Sequence, residues 1–136
     1  VKGINLKGDD VVVSAFIANT KSIFILTQRG SLKRMSVNDL PQPKRAGRGL
    51  QVLRELKAKP HRVFLAGPVF AENGGAELDL FATEVEEKQQ ILQVQSQTGQ
   101  IDEVNLTNLS LSERTSNGSF ISDSISDQGV FAAKVK

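Results

Sequence analysis

At 136 residues, with 39% apolar residues and a net charge of +2, the chain holds enough material for one domain or two closely packed repeat units. It has no cysteine, tyrosine or tryptophan and a single histidine, His61, which removes disulfides, thiolate metal sites, thiol chemistry and a tyrosine nucleophile, and leaves little for a Ser-His triad. No apolar run approaches the length of a membrane span, and the missing cysteines fit a cytoplasmic setting.

Taken in order, the chain begins at Val1 without an initiator Met or a basic-then-apolar leader, so a fragment of a longer protein is expected. Residues 11–17 are rich in Val, Phe and Ile and predict a strand. Residues 22–27 form a short apolar run that predicts a strand buried on both faces. Arg29-Gly30 makes a turn, and Leu32, Met35 and Val37, with basic residues between them, predict the second arm of a hairpin. Residues 41–49 hold Pro, Gly and cations and predict a loop. Two further strands are expected at 50–56 and 62–66, and residues 67–76, with Pro68 and Gly74-Gly75, read as a joint. The same order then returns: strands at 78–85, 90–96 and 100–106 with a turn at Thr98-Gly99, a loop at 110–118, and strands at 119–125 and 130–135. Helical periodicity is hard to find anywhere.

That return is a repeat at a spacing of 69 residues without a gap. Gly30 falls on Gly99, Gln28 on Gln97, Leu40 on Leu109, Arg45 on Arg114 and Gly49 on Gly118. The apolar phase is kept as well: Ile23/Leu92, Ile25/Val94, Met35/Val104, Val52/Ile121 and Leu56/Ile125. A fixed period marks an architecture in which each unit buries a face against its neighbour. The expected domains are a basic blade, 1–69, and an acidic blade, 70–136. The first carries 13 Lys/Arg against 4 Asp/Glu, the second 4 against 11, so their net charges are +9 and −7. The predicted fold class is all-β, two four-stranded blades of a propeller-like array, with a β-sandwich made by both units as the alternative.

Three cations within five positions, Lys44, Arg45 and Arg48, lie among small residues that let a partner's backbone approach. Phosphate oxygens suit them, because Arg binds bidentately and Lys acts as a point charge. Arg29, Lys33 and Arg34 are expected on one rim of the hairpin, and Lys21, Arg54, Lys57, Lys59 and Arg62 extend the basic surface. The seven Phe sit in apolar runs and read as core, so stacking on single strands is disfavoured and contact with a duplex backbone fits better. Asp9-Asp10 and Glu86-Glu87 lack convergent partners and read as exposed turns, so no metal, cofactor or catalytic residue is assigned. His61, among Lys59, Pro60 and Arg62, reads as a surface or backbone-bonded histidine. The sequons at Asn105, Asn108 and Asn117 read as chance.

The pattern resembles the C-terminal domain of the A subunit of bacterial type IIA topoisomerases over nearly all the chain. Each blade of that family runs a strand, a Thr-x-x-Gly-x-x-(Lys/Arg) turn, a strand, an Arg-x-x-x-Gly loop and an apolar strand. Here Thr27-Gln28-Arg29-Gly30-Ser31-Leu32-Lys33-Arg34 and Arg45-Ala46-Gly47-Arg48-Gly49 stand in the first unit, and Ser96-Gln97-Thr98-Gly99 and Arg114-Thr115-Ser116-Asn117-Gly118 in the second. The resemblance implies a β-pinwheel that binds and bends duplex DNA. It implies partners in the remaining blades, the catalytic core and the B subunit of an ATP-dependent enzyme. Pro43-Lys44-Arg45-Ala46-Gly47-Arg48-Gly49 looks like a degraded Gln-Arg-Arg-Gly-Gly-Lys-Gly box of gyrase, which favours topoisomerase IV over gyrase. The family's covalent DNA link uses a Tyr outside this domain, so no cleavage is expected from this chain. An interaction module driven by the charge asymmetry is the competing reading.

Overall fold

A computed structural model describes residues 8, 11–16, 20–40, 50–70 and 90–136. Two antiparallel sheets account for nearly all its regular structure. The first holds β1 (Ser22–Thr27), β2 (Ser31–Ser36), β3 (Val63–Val69) and β6 (Ser119–Phe120) in the order β3-β1-β2-β6. The second holds β4 (Ile91–Ser96), β5 (Ile101–Asn105) and β7 (Val130–Val135) in the order β5-β4-β7. The all-β reading stands.

Each hairpin is closed by the same device. The turn glycines adopt left-handed backbone, Gly30 at φ 85° and Gly99 at φ 96°, a region open to glycine at no steric cost. Gly30 N–H donates to the Thr27 carbonyl and Gly99 N–H to the Ser96 carbonyl, both at 3.0 Å. The hydroxyls of Thr27 and Ser96 accept from the N–H four residues on, Ser31 and Gln100, each at 3.1 Å. A bulge falls just before each of these residues in the pairing with the third strand. The second arms end alike, in short 3₁₀ turns at Val37–Asp39 and Leu106–Asn108 that are capped by the side chains of Ser36 and Asn105.

The repeat is not gapless throughout. Ser22 pairs with Val69 and Thr27 with Val63, whereas Leu92 pairs with Val135 and Ser96 with Val130. The third strands are therefore offset by 67 residues, two fewer than the hairpins, and Phe64 corresponds to Phe131, Gly67 to Lys134. The shortening falls where the second unit is helical. Residues 119–125, expected as one strand, instead give the two-residue β6 and then α1 (Asp123–Gln128). Ser122 caps α1, its hydroxyl accepting from the Ile125 N–H, and Gly129 ends it at φ 83° with its N–H on the Ile125 carbonyl. Other expectations also shift. Residues 50–56, expected as a strand, are irregular like 57–62 after them, residues 11–16 show no strand, and the strand expected at 62–66 runs instead over Val63–Val69, so 67–69 belong to β3 rather than to a joint. The strand expected at 78–85 and the loop at 41–49 lie outside the described residues.

Two apolar clusters hold the sheets. Phe24, Leu26, Leu32 and Val69 from the first sheet meet Leu92, Val94, Leu106, Ile125 and Val130 from the second unit in one buried core. On the opposite face of the first sheet, Ile23, Ile25 and Met35 are covered by Val52, Leu53 and their neighbours in the irregular segment. Burial of each such side chain stabilises by about 1.5–3 kcal/mol. β1 is thus buried on both faces along its whole length, as its continuous apolar run predicts.

Candidate nucleic-acid interface

The cations of the first unit divide into three kinds. Lys33 is only 2% exposed, and its ammonium donates to four backbone carbonyls: Val52, Arg114 at 2.6 Å, Ser116 at 2.7 Å and Glu113 at 3.3 Å. Burial, and secondarily the Arg114 charge, lower its pKa from 10.5 to about 8. Arg34 is also committed. Its Nε donates to the Ser22 hydroxyl at 2.8 Å and its Nη1 to the carbonyls of Thr107 at 3.0 Å and Leu109 at 3.1 Å. These two cations, expected on a ligand-facing rim, fasten the second unit to the first. A buried ammonium with its donors used cannot reach a phosphate.

Arg29 is intermediate. Its Nη1 donates to the Lys59 carbonyl at 2.8 Å and to His61 Nε2 at 3.1 Å, and its guanidinium lies 5.3 Å from the centre of the Phe120 ring. A guanidinium only donates, so Nε2 is the acceptor and Nδ1 carries the proton, directed at Thr27 Oγ1 at 3.1 Å. His61 also packs against Phe120, ring centres 5.7 Å apart. It is a bonded joint between turn, loop and second unit rather than a loose surface histidine. Burial, and then Arg29, depress its pKa below the usual 6.5.

The third kind is solvent-facing: Lys21, Arg54, Lys57, Lys59 and Arg62 are exposed. Gln28 pins the segment that carries the last two against the β1–β2 turn. Its Nε2 donates to the Pro60 carbonyl at 2.8 Å, its Oε1 accepts from the Arg62 N–H, and its own N–H donates to the Arg62 carbonyl at 2.9 Å. Arg29, Lys59 and Arg62 are thereby gathered at the turn end of the sheet. Lys21 precedes β1 at the opposite end, about 20 Å away for a six-residue strand. Arg54 stands beside the second unit, its N–H donating to Asn117 Oδ1 at 2.8 Å. Among the described residues the single ion pair joins Lys136 to Glu103, both in the second unit. Lys44, Arg45 and Arg48 lie outside the described residues.

The second unit repeats the scaffold without the charge. Gln97 Nε2 reaches the Val130 carbonyl at 3.1 Å as Gln28 reaches Pro60, but Arg29 is matched by Thr98, Lys33 by Asp102 and Arg34 by Glu103. Arg114, the repeat partner of Arg45, is half-buried at the junction, its Nη1 donating to the Gln51 carbonyl at 2.7 Å. A hollow of about 650 Å³ between the two turns is lined by Gln28, Arg29, Lys59, Gln97 and Asp127 among others. Among the described residues no group of acidic, His or Cys side chains has the arrangement of a metal site.

The model of the DNA gyrase C-terminal domain, described as a β-propeller, matches residues 1–19 and 21–69. The chain belongs to this family. Among curated proteins it is 62% identical over its full length to the A subunit of DNA topoisomerase 4 from Streptococcus pyogenes serotype M3, and 62% identical over 98% of its length to that of Streptococcus pneumoniae serotype 4. It is 40% identical over 90% of its length to the Bacillus subtilis protein of the same name. A solved C-terminal domain of DNA topoisomerase IV superposes on 99% of the chain with a TM-score of 0.74 at 31% identity, and the chain covers 37% of it. The chain spans 17% of the length of the relative from Streptococcus pyogenes. The likeness to topoisomerase IV over gyrase, expected from the altered box, agrees with these relatives.

Proposed function

We propose that this chain is a DNA-holding part of the C-terminal domain of a topoisomerase IV A subunit. It binds and bends duplex DNA without reading sequence and positions segments for strand passage by the ATP-dependent holoenzyme in the bacterial cytoplasm. Its partners are the duplex, the remaining blades and catalytic core of the A subunit, and the B subunit. The two blades, 1–69 and 70–136, divide the work: the first carries the phosphate contacts and the second supports it from the acidic side.

The observation that carries this reading is the sorting of cations. Lys21, Arg54, Lys57, Lys59 and Arg62 face solvent on a unit of net charge +9, without ion-pair partners among the described residues, while the cations of the second unit are few and partly paired. Exposed, unpaired Lys and Arg are what a phosphate backbone exchanges its counterions for. Lys44, Arg45 and Arg48 are assigned to the same surface from their sequence. Lys33 and Arg34 are assigned to the unit junction and not to DNA, and Arg29 contributes through whatever of its guanidinium the Lys59 and His61 bonds leave. Phe120, with Arg29 and His61 against its ring, is 42% exposed, and Phe16, Phe70 and Phe131, expected in the core, are exposed as well, so the reading rests on phosphate contacts and not on buried Phe.

Electrophoretic mobility shift with linear duplexes of unrelated sequence, over a salt series, tests the proposal. Expected is retention at low salt with equal affinity for every sequence, roughly 10⁻⁴ to 10⁻⁶ M at physiological salt. No retention at low salt, accompanied by salt-sensitive self-association, would instead support the interaction module.

A further inference from the structure

Two segments of opposite character meet at the hollow between the turns. Val63 pairs with Thr27 as Val130 pairs with Ser96, so residues 57–62 of the first unit fall on 124–129 of the second. The first segment is Lys57-Ala58-Lys59-Pro60-His61-Arg62, and the second is Ser124-Ile125-Ser126-Asp127-Gln128-Gly129. The first unit lines the hollow with the cations Arg29 and Lys59, and the second lines it with the carboxylate of Asp127.

Lys59 is held in place at a cost. Its φ of 49° lies in the left-handed region, the only such value at a non-glycine among the described residues. With this turn its carbonyl meets Arg29 Nη1 at 2.8 Å, and the next carbonyl, that of Pro60, accepts from Gln28 Nε2 at 2.8 Å. Strain of this kind persists where the surroundings over-determine a position, and functional sites collect it. The Lys59 side chain stays exposed.

Asp127 breaks a local rule. It stands in the last turn of α1, at the negative end of the helix dipole, where a cation is favoured. That turn holds no basic residue, and Asp127 is exposed. The helix is fastened where it stands. Ile125 is buried against Gly30, Val130 N–H donates to the Gln28 carbonyl at 2.9 Å, and Gln97 N–H donates to the Gly129 carbonyl at 3.3 Å. What offsets the ill-placed charge is the pair of cations at the same hollow. Neither makes an ion pair with it, since the single pair among the described residues joins Lys136 to Glu103. Asp127 therefore acts on them through space. A hollow of about 650 Å³ is roughly one Debye length wide, about 10 Å at 0.1 M salt, so the three charges sense one another at low salt and are screened at high salt.

We infer that Asp127 weakens the hold of the first unit on duplex DNA, its carboxylate competing with backbone phosphates for Arg29 and Lys59. The inference rests on the DNA reading above and names a residue of the acidic unit that tunes it. The test is fluorescence anisotropy of a short duplex with the full-length A subunit over a salt series. The variants are Asp127→Asn, Asp123→Asn, Lys59→Ala and Lys59→Ala/Asp127→Asn. Asp123 is exposed on the same helix but does not line the hollow, so its variant measures the general effect of one negative charge fewer. Asp127→Asn is expected to tighten binding about threefold at low salt, with the gain fading above roughly 0.3 M. The gain is expected to exceed that of Asp123→Asn and to fall by at least about half when Lys59 is absent. No gain, a gain matched by Asp123→Asn, or a gain untouched by loss of Lys59 would overturn the inference. Binding by the native subunit without the expected gain fails this inference alone. No binding by either the native or the Asp127→Asn subunit fails the DNA reading as well.

Discussion

A cation's job in this chain is set by which face of the hairpin it occupies. Lys33 lies two residues from Met35 and opposite Ile25, so it shares their buried face and must satisfy its ammonium internally. Replacing it by Met leaves carbonyls of both units without their donor. Lys33→Met is expected to destabilise the chain by about 3 kcal/mol, read as a lower denaturation midpoint in urea with an unchanged slope. A loss below about 0.5 kcal/mol would mean that the carbonyl cage is not formed. His61 gives the pH-sensitive counterpart. Its folded pKa is depressed by burial and by Arg29, so as pH falls the unfolded chain takes up the proton first. Stability is then highest above pH 6.5 and declines as pH drops from there toward the depressed folded value. Thermal melts of the native chain and of His61→Gln from about pH 5 to about pH 7.5 check this, and the variant is expected to have the flatter profile over that window.

At the scale of elements, the two hairpins are one design placed in two settings. Gly30 and Gly99 share a left-handed backbone, but their surroundings differ: a Cβ at Gly30 would stand 2.0 Å from Ile125 Cγ2, whereas among the described residues nothing lies within 4 Å of one at Gly99. Gly99→Ala is expected to cost about 1 kcal/mol of backbone strain, and Gly30→Ala about 3 kcal/mol because α1 must also shift. Equal losses in paired unfolding curves would contradict the docking of α1 on the first turn. The hairpins, their turn glycines and the double burial of β1 were all legible as periodicity. The misses have physical reasons. Residues 119–125 read as apolar enough for a strand, yet Ser122 before Asp123 and Gly129 after Gln128 are helix caps, and they signal α1. Residues 50–56 have strand-forming side chains but, among the described residues, no sheet edge to bond; β6 at the matching positions forms because the β2 edge lies beside it. The two-residue shortening before β7 is legible at an offset of 67, where Val63, Phe64 and Ala66 fall on Val130, Phe131 and Ala133; a single spacing of 69 for the whole chain hides it. The face of Lys33 was readable from its alternation with Met35. The reach of Arg34 to carbonyls 73 and 75 residues away was not, because it depends on how the units dock.

Across the whole molecule, charge follows the architecture. The junction engages Lys33, Arg34 and Arg114, and Lys136 of the acidic unit is paired, while the exposed cations of the first unit have no ion-pair partner among the described residues and form the surface proposed for DNA. The most direct measurement of that claim is the slope of log K against log salt for a duplex of fixed length, taken by fluorescence anisotropy. The native chain is compared with Arg45→Ala/Arg48→Ala, with Lys59→Ala/Arg62→Ala and with Arg114→Ala. Each lost phosphate contact lowers the slope by about 0.9, so each double variant is expected to fall by nearly two, and Arg114→Ala to match the native chain. A fall on Arg114→Ala as large as on the double variants, or unchanged slopes in both double variants, would contradict the placement of DNA on the first unit.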